Sequence, residues 1–169
     1  GGGALVNRCR GYAYSWPSIT RRLKRLKIPF AKFLPASVLT PWRVTTVNLR
    51  NHRKVLVVDG QTAFTGGMNI RYGNMLSENP PSPVQDLHFR TEGPIVAQLQ
   101  EAFAADWAFT TGETLDGDLW FSELQEHGSV IARVITDGPD ADFETVRWTL
   151  LAALAEAQHS VQIVTPYFL

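Results

Sequence analysis

The chain has 169 residues, of which 44% are hydrophobic and 19% charged. That is enough to bury a core and too apolar for disorder throughout. A single cysteine, Cys9, excludes an intramolecular disulfide, and no apolar run approaches the roughly 18 residues of a membrane span.

The formal charge of zero hides a division. Residues 1–58 hold 12 Lys and Arg and no acid, whereas from Asp59 onward 4 basic residues stand against 16 acidic ones, so the two parts carry +12 and −12. Such a field draws anionic substrates to the first part and suits a phospholipid head group or a nucleic acid. The plainer reading is that the two parts pair with each other. The sequence opens without a methionine and stops after a predicted strand, which reads as a piece of something longer.

Residues 1–16 are rich in Gly and aromatics and show no period, so no element is assigned there. From Pro17 to Lys27 the text PSITRRLKRLK places Ile19, Leu23 and Leu26 on one helical face among five cations. Such a helix serves either as an ordinary surface helix or as a rest on an anionic membrane. IPFAKFLP reads as a short strand, and residues 35–47, with two prolines and Trp42, as a connector.

The stretch His52-Arg53-Lys54-Val55-Leu56-Val57-Val58-Asp59 follows. Its four apolar residues, three of them β-branched, predict a core strand buried on both faces. On a strand His52 and Lys54 point the same way and Asp59 the other. An imidazole beside an ammonium suits phosphoryl transfer, one group as nucleophile or proton carrier and the other holding phosphate charge. Gly60-Gln61 predicts a turn and Thr62 to Thr65 a second strand. Gly66-Gly67 ends that strand and offers bare N–H groups to an anion, with the Asn69 amide as a further donor. A lone His-x-Lys is ordinarily a solvated edge. The fixed offsets of strand, double glycine and asparagine argue for chemistry.

Residues 71–83, with three prolines, form a loop placed to influence specificity. Val84 to Arg90 reads as a strand on which Asp86 and His88 share a face. Asp86 is placed to accept a hydrogen bond from the His52 ring, and His88 reads as a structural histidine. A helix starts at Gly93-Pro94, with Ile95, Val96, Leu99, Phe103 and Trp107 on its apolar side. Residues 110–128 form a polar, acidic linker. Val130 to Thr136, Asp142 to Gln158 and Val161 to Thr165 then predict strand, helix and strand, with acids in the helix's first turn.

The pattern of His52, Lys54, Asp59, Gly66, Gly67 and Asn69 resembles the HKD motif of the phospholipase D superfamily. The wider text, NLRNHRKVLVVDG, FTGGMNI, DLHFRTEGPIV and LQEAFAADW, is similar to bacterial cardiolipin synthases. The resemblance implies an α/β fold, a mixed sheet flanked by helices in the first half of a two-half pseudo-dimer. Residues 1–128 would be that half and 129–169 the start of the next. It implies phosphatidyl transfer through a phosphohistidine, with His52, Lys54, Asp59, Asn69 and Asp86 as catalytic residues and Lys54, Gly66, Gly67 and Asn69 on the substrate phosphate.

The family's usual Trp-Arg-Asp stands here as Val84-Gln85-Asp86, which keeps the acid. Asp59, facing away, would brace the strand. Only one HxK is present, so a second HKD half is expected from the same parent chain or a dimer partner. No metal and no cofactor are expected. The implied partners are an anionic phospholipid, phosphatidylglycerol above all, and a membrane touched peripherally, at the cytoplasmic face of a bacterial cell membrane. Nucleic acid is not expected. A phospholipase D-type hydrolase, a nuclease of the same superfamily and a non-catalytic domain are the alternatives.

Overall fold

The computed structural model describes residues 4–7, 19–33, 51–137 and 144–165. The chain is α/β and divides into two compact units, Gly1–Val130 and Ile131–Leu169. The expectations for Cys9 and for the connector around Trp42 lie outside the described residues.

In the first unit, β1 (Ala4–Asn7) pairs in parallel with β2 (Phe30–Phe33), Ala4 opposite Phe30. Between them lies α1 (Ile19–Arg25), which ends short of the predicted Lys27 because Lys27 turns left-handed at φ 55°. A three-stranded antiparallel sheet follows, in the order β3 (Val55–Val58), β4 (Thr62–Gly66) and β5 (His88–Glu92). Residues 71–83 are not wholly irregular, since two single-turn 3-10 helices occupy Tyr72–Asn74 and Leu76–Glu78.

Helix α2 (Ile95–Thr111) packs on both sheets. Its Val96, Leu99, Ala102 and Trp107 are buried with Ala63 of β4, and Phe109 meets Phe33 of β2 with ring centroids 5.8 Å apart. A fully buried side chain such as Val96 is worth about 1.5–3 kcal/mol. The helix stops at Gly112, whose φ of 78° lets its N–H return to the Ala108 carbonyl at 2.8 Å.

The strand around His52 differs from the expectation of burial on both faces. Only Val55–Val58 is regular, and its burial alternates: Val55 and Val57 are half-buried, whereas Leu56 and Val58 are exposed. Four apolar residues in a row read as doubly covered, yet α2 covers one face and no described element covers the other.

The second unit departs further. Helix α3 (Thr145–Glu156) forms inside the predicted Asp142–Gln158, with no acid in its first turn and no buried residue. Its Leu150, Leu151 and Leu154 are exposed. Residues 130–136 and 161–165, predicted as strands, have no regular structure. A strand needs a neighbouring strand to satisfy its backbone, and among the described residues neither segment joins a sheet.

Candidate active site

His52 and Lys54 lie in the extended segment that leads into β3, not on the strand itself. Two contacts with α2 fix that segment. The Arg53 guanidinium forms an ion pair with Asp106, and the Asn51 side-chain amide donates to the other oxygen of the same carboxylate. The Asn51 side-chain oxygen also accepts the Arg53 N–H at 2.9 Å. His52 is exposed and Lys54 half-buried, and the Lys54 ammonium donates to the His52 carbonyl at 2.7 Å. Asp106 was absent from the sequence expectations. It sits 53 residues from Arg53 on a helix read only for its apolar face.

Gly66 closes the β4–β5 ladder opposite His88, and the β3–β4 ladder closes with Val55 opposite Thr65. The β3–β4 ladder ends at that pair, so Lys54 and His52 precede it, and Asp86 likewise precedes β5.

Neither Gly66 nor Gly67 has room for a side chain. A Cβ on Gly66 would lie 2.9 Å from His88 Nδ1 and overlap the Leu87 carbonyl, and one on Gly67 would overlap the Asp86 carboxylate. The expectation that Gly67 presents a bare N–H to an anion is corrected here. That N–H donates to the Leu87 carbonyl at 2.9 Å, because pairing runs one step beyond β4.

Asp86 precedes β5 rather than standing on a strand from Val84. Its Oδ1 accepts the Leu87 N–H at 2.7 Å, and among the described residues the His52 ring makes no hydrogen bond. The expected Asp86–His52 bond is therefore absent, because the carboxylate curls back onto its own backbone beside Gly67. Asn69 is exposed, and its carbonyl accepts the Arg71 N–H at 2.9 Å. His88 Nδ1 is buried and without a hydrogen-bond partner.

Asp59 stands at the opposite end of β3 from His52. With Gly60 it forms the hairpin turn, at φ 53° and 64°, and Gln61 N–H closes the turn on the Val58 carbonyl at 3.1 Å. The turn is thus centred on Asp59-Gly60 rather than Gly60-Gln61. A cavity of about 380 Å³ at this end is lined by Asp59, Phe103 and Trp120, among others. Among the described residues no three His, Cys, Asp or Glu side chains converge as a metal site requires.

No family model matches the chain and no solved structure matches it. Curated proteins do. Cardiolipin synthase 1 of Bacillus cereus is 33% identical over 156 residues, 87% of this chain and 30% of that protein. Cardiolipin synthase A of Pseudomonas fluorescens is 37% identical over 123 residues, 73% of this chain and 25% of its own length. Cardiolipin synthase of a Geobacillus species is 32% identical over 157 residues, 91% of this chain and 31% of its own.

This is a cardiolipin synthase-like chain of the phospholipase D superfamily. It spans roughly a third of the length of the relatives it matches, with 31% of the Geobacillus protein covered. In this cardiolipin synthase-like chain no described helix is long and apolar enough to cross a membrane.

Proposed function

We propose that the protein carrying this chain is a phosphatidyltransferase of the cardiolipin synthase type, joining two phosphatidylglycerols with release of glycerol. The observation that carries this reading is the exposed His52 beside the Lys54 ammonium, in a chain similar to cardiolipin synthases along most of its length. His52 supplies one of the two histidines that the exchange uses. One attacks phosphorus and displaces the glycerol oxygen; the other gives that oxygen its proton and takes the proton of the incoming hydroxyl. The second comes from another HKD half, in the same parent chain or in a dimer partner.

Lys54 and Asn69 hold the phosphoryl oxygens. An ammonium has three protons, and the His52 carbonyl takes one, which leaves two for phosphate. Gly66 and Gly67 let the phosphate approach the sheet edge. Asp86, beside Gly67, orients the His52 ring once substrate draws the two together. Asp59 supports the site from the hairpin. The substrate places the protein at a membrane, at the cytoplasmic face of a bacterial cell.

The test is to incubate the full-length protein with phosphatidylglycerol and resolve the lipids. Cardiolipin with free glycerol is expected. Phosphatidic acid without cardiolipin would overturn the transferase reading in favour of hydrolysis.

A further inference from the structure

A second basic cleft is lined by none of the residues assigned to the site above. A cleft of about 640 Å³ opens between α1, β2 and the end of α2, lined by Arg21, Lys24, Lys32, Phe30, Ala31 and Thr110 among others. Arg21 and Lys24 are three apart on α1 and so project to one side of it. Lys32 is the exposed position of β2, between half-buried Ala31 and Phe33. Among the described residues no acid lines the cleft, and none occurs in the sequence before Asp59. Its floor, Phe30 and Ala31, is apolar and half-buried.

We propose that this cleft binds the phosphate of an anionic phospholipid that does not react, and so seats the protein on the bilayer carrying its substrate. Three cations above an apolar floor match an amphipathic anion, with phosphate at the rim and the glycerol and first acyl carbons below. A nucleic acid presents evenly spaced phosphates and calls for a basic stripe, whereas these cations surround one cleft. Thr110 is one helical turn beyond Asp106 and donates to its carbonyl at 2.7 Å. The cleft is thus joined through α2 to the carboxylate that anchors Arg53 beside His52. This goes beyond the proposed reaction, and the binding does not depend on chemistry at His52.

The test measures cosedimentation of the full-length protein, carrying His52→Ala so that no lipid is consumed, with phosphatidylcholine vesicles containing or lacking phosphatidylglycerol. Each cation near an anionic surface is worth about fivefold in binding, so Arg21→Gln/Lys24→Gln/Lys32→Gln should lose on the order of 100-fold. The control Arg22→Gln/Arg25→Gln/Lys27→Gln removes the same charge from α1 and the turn after it without touching the cleft lining, and should lose clearly less than the cleft triple. Lys24→Gln and Lys32→Gln singly, each expected to cost about fivefold, serve if the triple variant fails to fold.

Equal losses in the two triples, or none in the cleft triple, would overturn the site. Displacement of vesicles by millimolar inorganic phosphate would assign it to free phosphate instead of lipid. Tighter binding of short duplex DNA than of anionic vesicles, lost in the same triple, would overturn the lipid assignment in favour of nucleic acid. No turnover is read, so failure here leaves the proposed reaction standing.

Discussion

The Lys54 ammonium donates to the backbone carbonyl of His52 at 2.7 Å, which holds the charge beside the imidazole's own residue before any substrate arrives. The bond costs the fold little to lose, because His52 is exposed and water can replace the ammonium. Lys54→Met, which keeps the aliphatic stem, should therefore lower kcat by about 10²–10³, the cost of one donor to a transition-state oxygen. His52→Ala should reduce turnover to background. Both variants should melt close to the wild type. A large fall in melting temperature would instead make these residues part of the scaffold.

Asp106 accepts from both Asn51 and Arg53 and is itself only 13% exposed in its side chain. Removing it takes away the two contacts that tie the segment carrying His52 to α2. Asp106→Ala should cost about 1–3 kcal/mol of stability and, by loosening the position of His52, up to about 100-fold in kcat. A cycle with Arg53→Ala should show a coupling of about 0.5–3 kcal/mol. Strict additivity in the unfolding free energies would show that the ion pair does not hold the segment.

The elements of the first unit could be read from the chain because each carries a local signal. The β-branched run Val55–Val58 and the turn after it mark a hairpin, and Gly93-Pro94 followed by the spacing of Val96, Leu99 and Trp107 marks α2. What escaped depends on partners distant in sequence. Periodicity cannot say that Leu56 and Val58 face no described element, nor that Arg53 finds its acid on α2. Apolar runs such as Val161–Thr165 have strand character, but a strand exists only when another pairs with it. The glycines were read for their N–H groups. Their use in the structure is steric, visible only once Asp86 and His88 lie across from them.

Gly67 has no room for a side chain, because a Cβ there would overlap the Asp86 carboxylate. Gly67→Ala should destabilise by about 1–3 kcal/mol, the ordinary cost of overpacking, and displace Asp86 from the site. Removing the obstacle should undo the first effect only. Gly67→Ala/Asp86→Ala should regain most of the stability lost by Gly67→Ala, while its activity stays at the level of Asp86→Ala alone. Chemical denaturation of the four proteins reads the stability, and lipid turnover reads the rest. A double variant as unstable as the sum of the singles would place the cost of Gly67→Ala elsewhere.

Asp59 belongs to the motif in sequence, yet it stands at the far end of β3 from His52, in a left-handed conformation at φ 53°. Asp and Asn tolerate that region, whereas other L-residues pay roughly 1–2 kcal/mol. The hairpin that sets the register of β3 against β4 depends on this turn, and β3 follows directly on the segment that carries His52 and Lys54. Asp59→Asn should then leave both stability and kcat near wild type. Asp59→Val should destabilise by about 1–2 kcal/mol with a kcat per folded molecule that changes little. Should Asp59→Asn abolish turnover in a protein that still melts normally, the carboxylate itself would be acting in the chemistry, and its position at the hairpin would have to change on assembly with the second half.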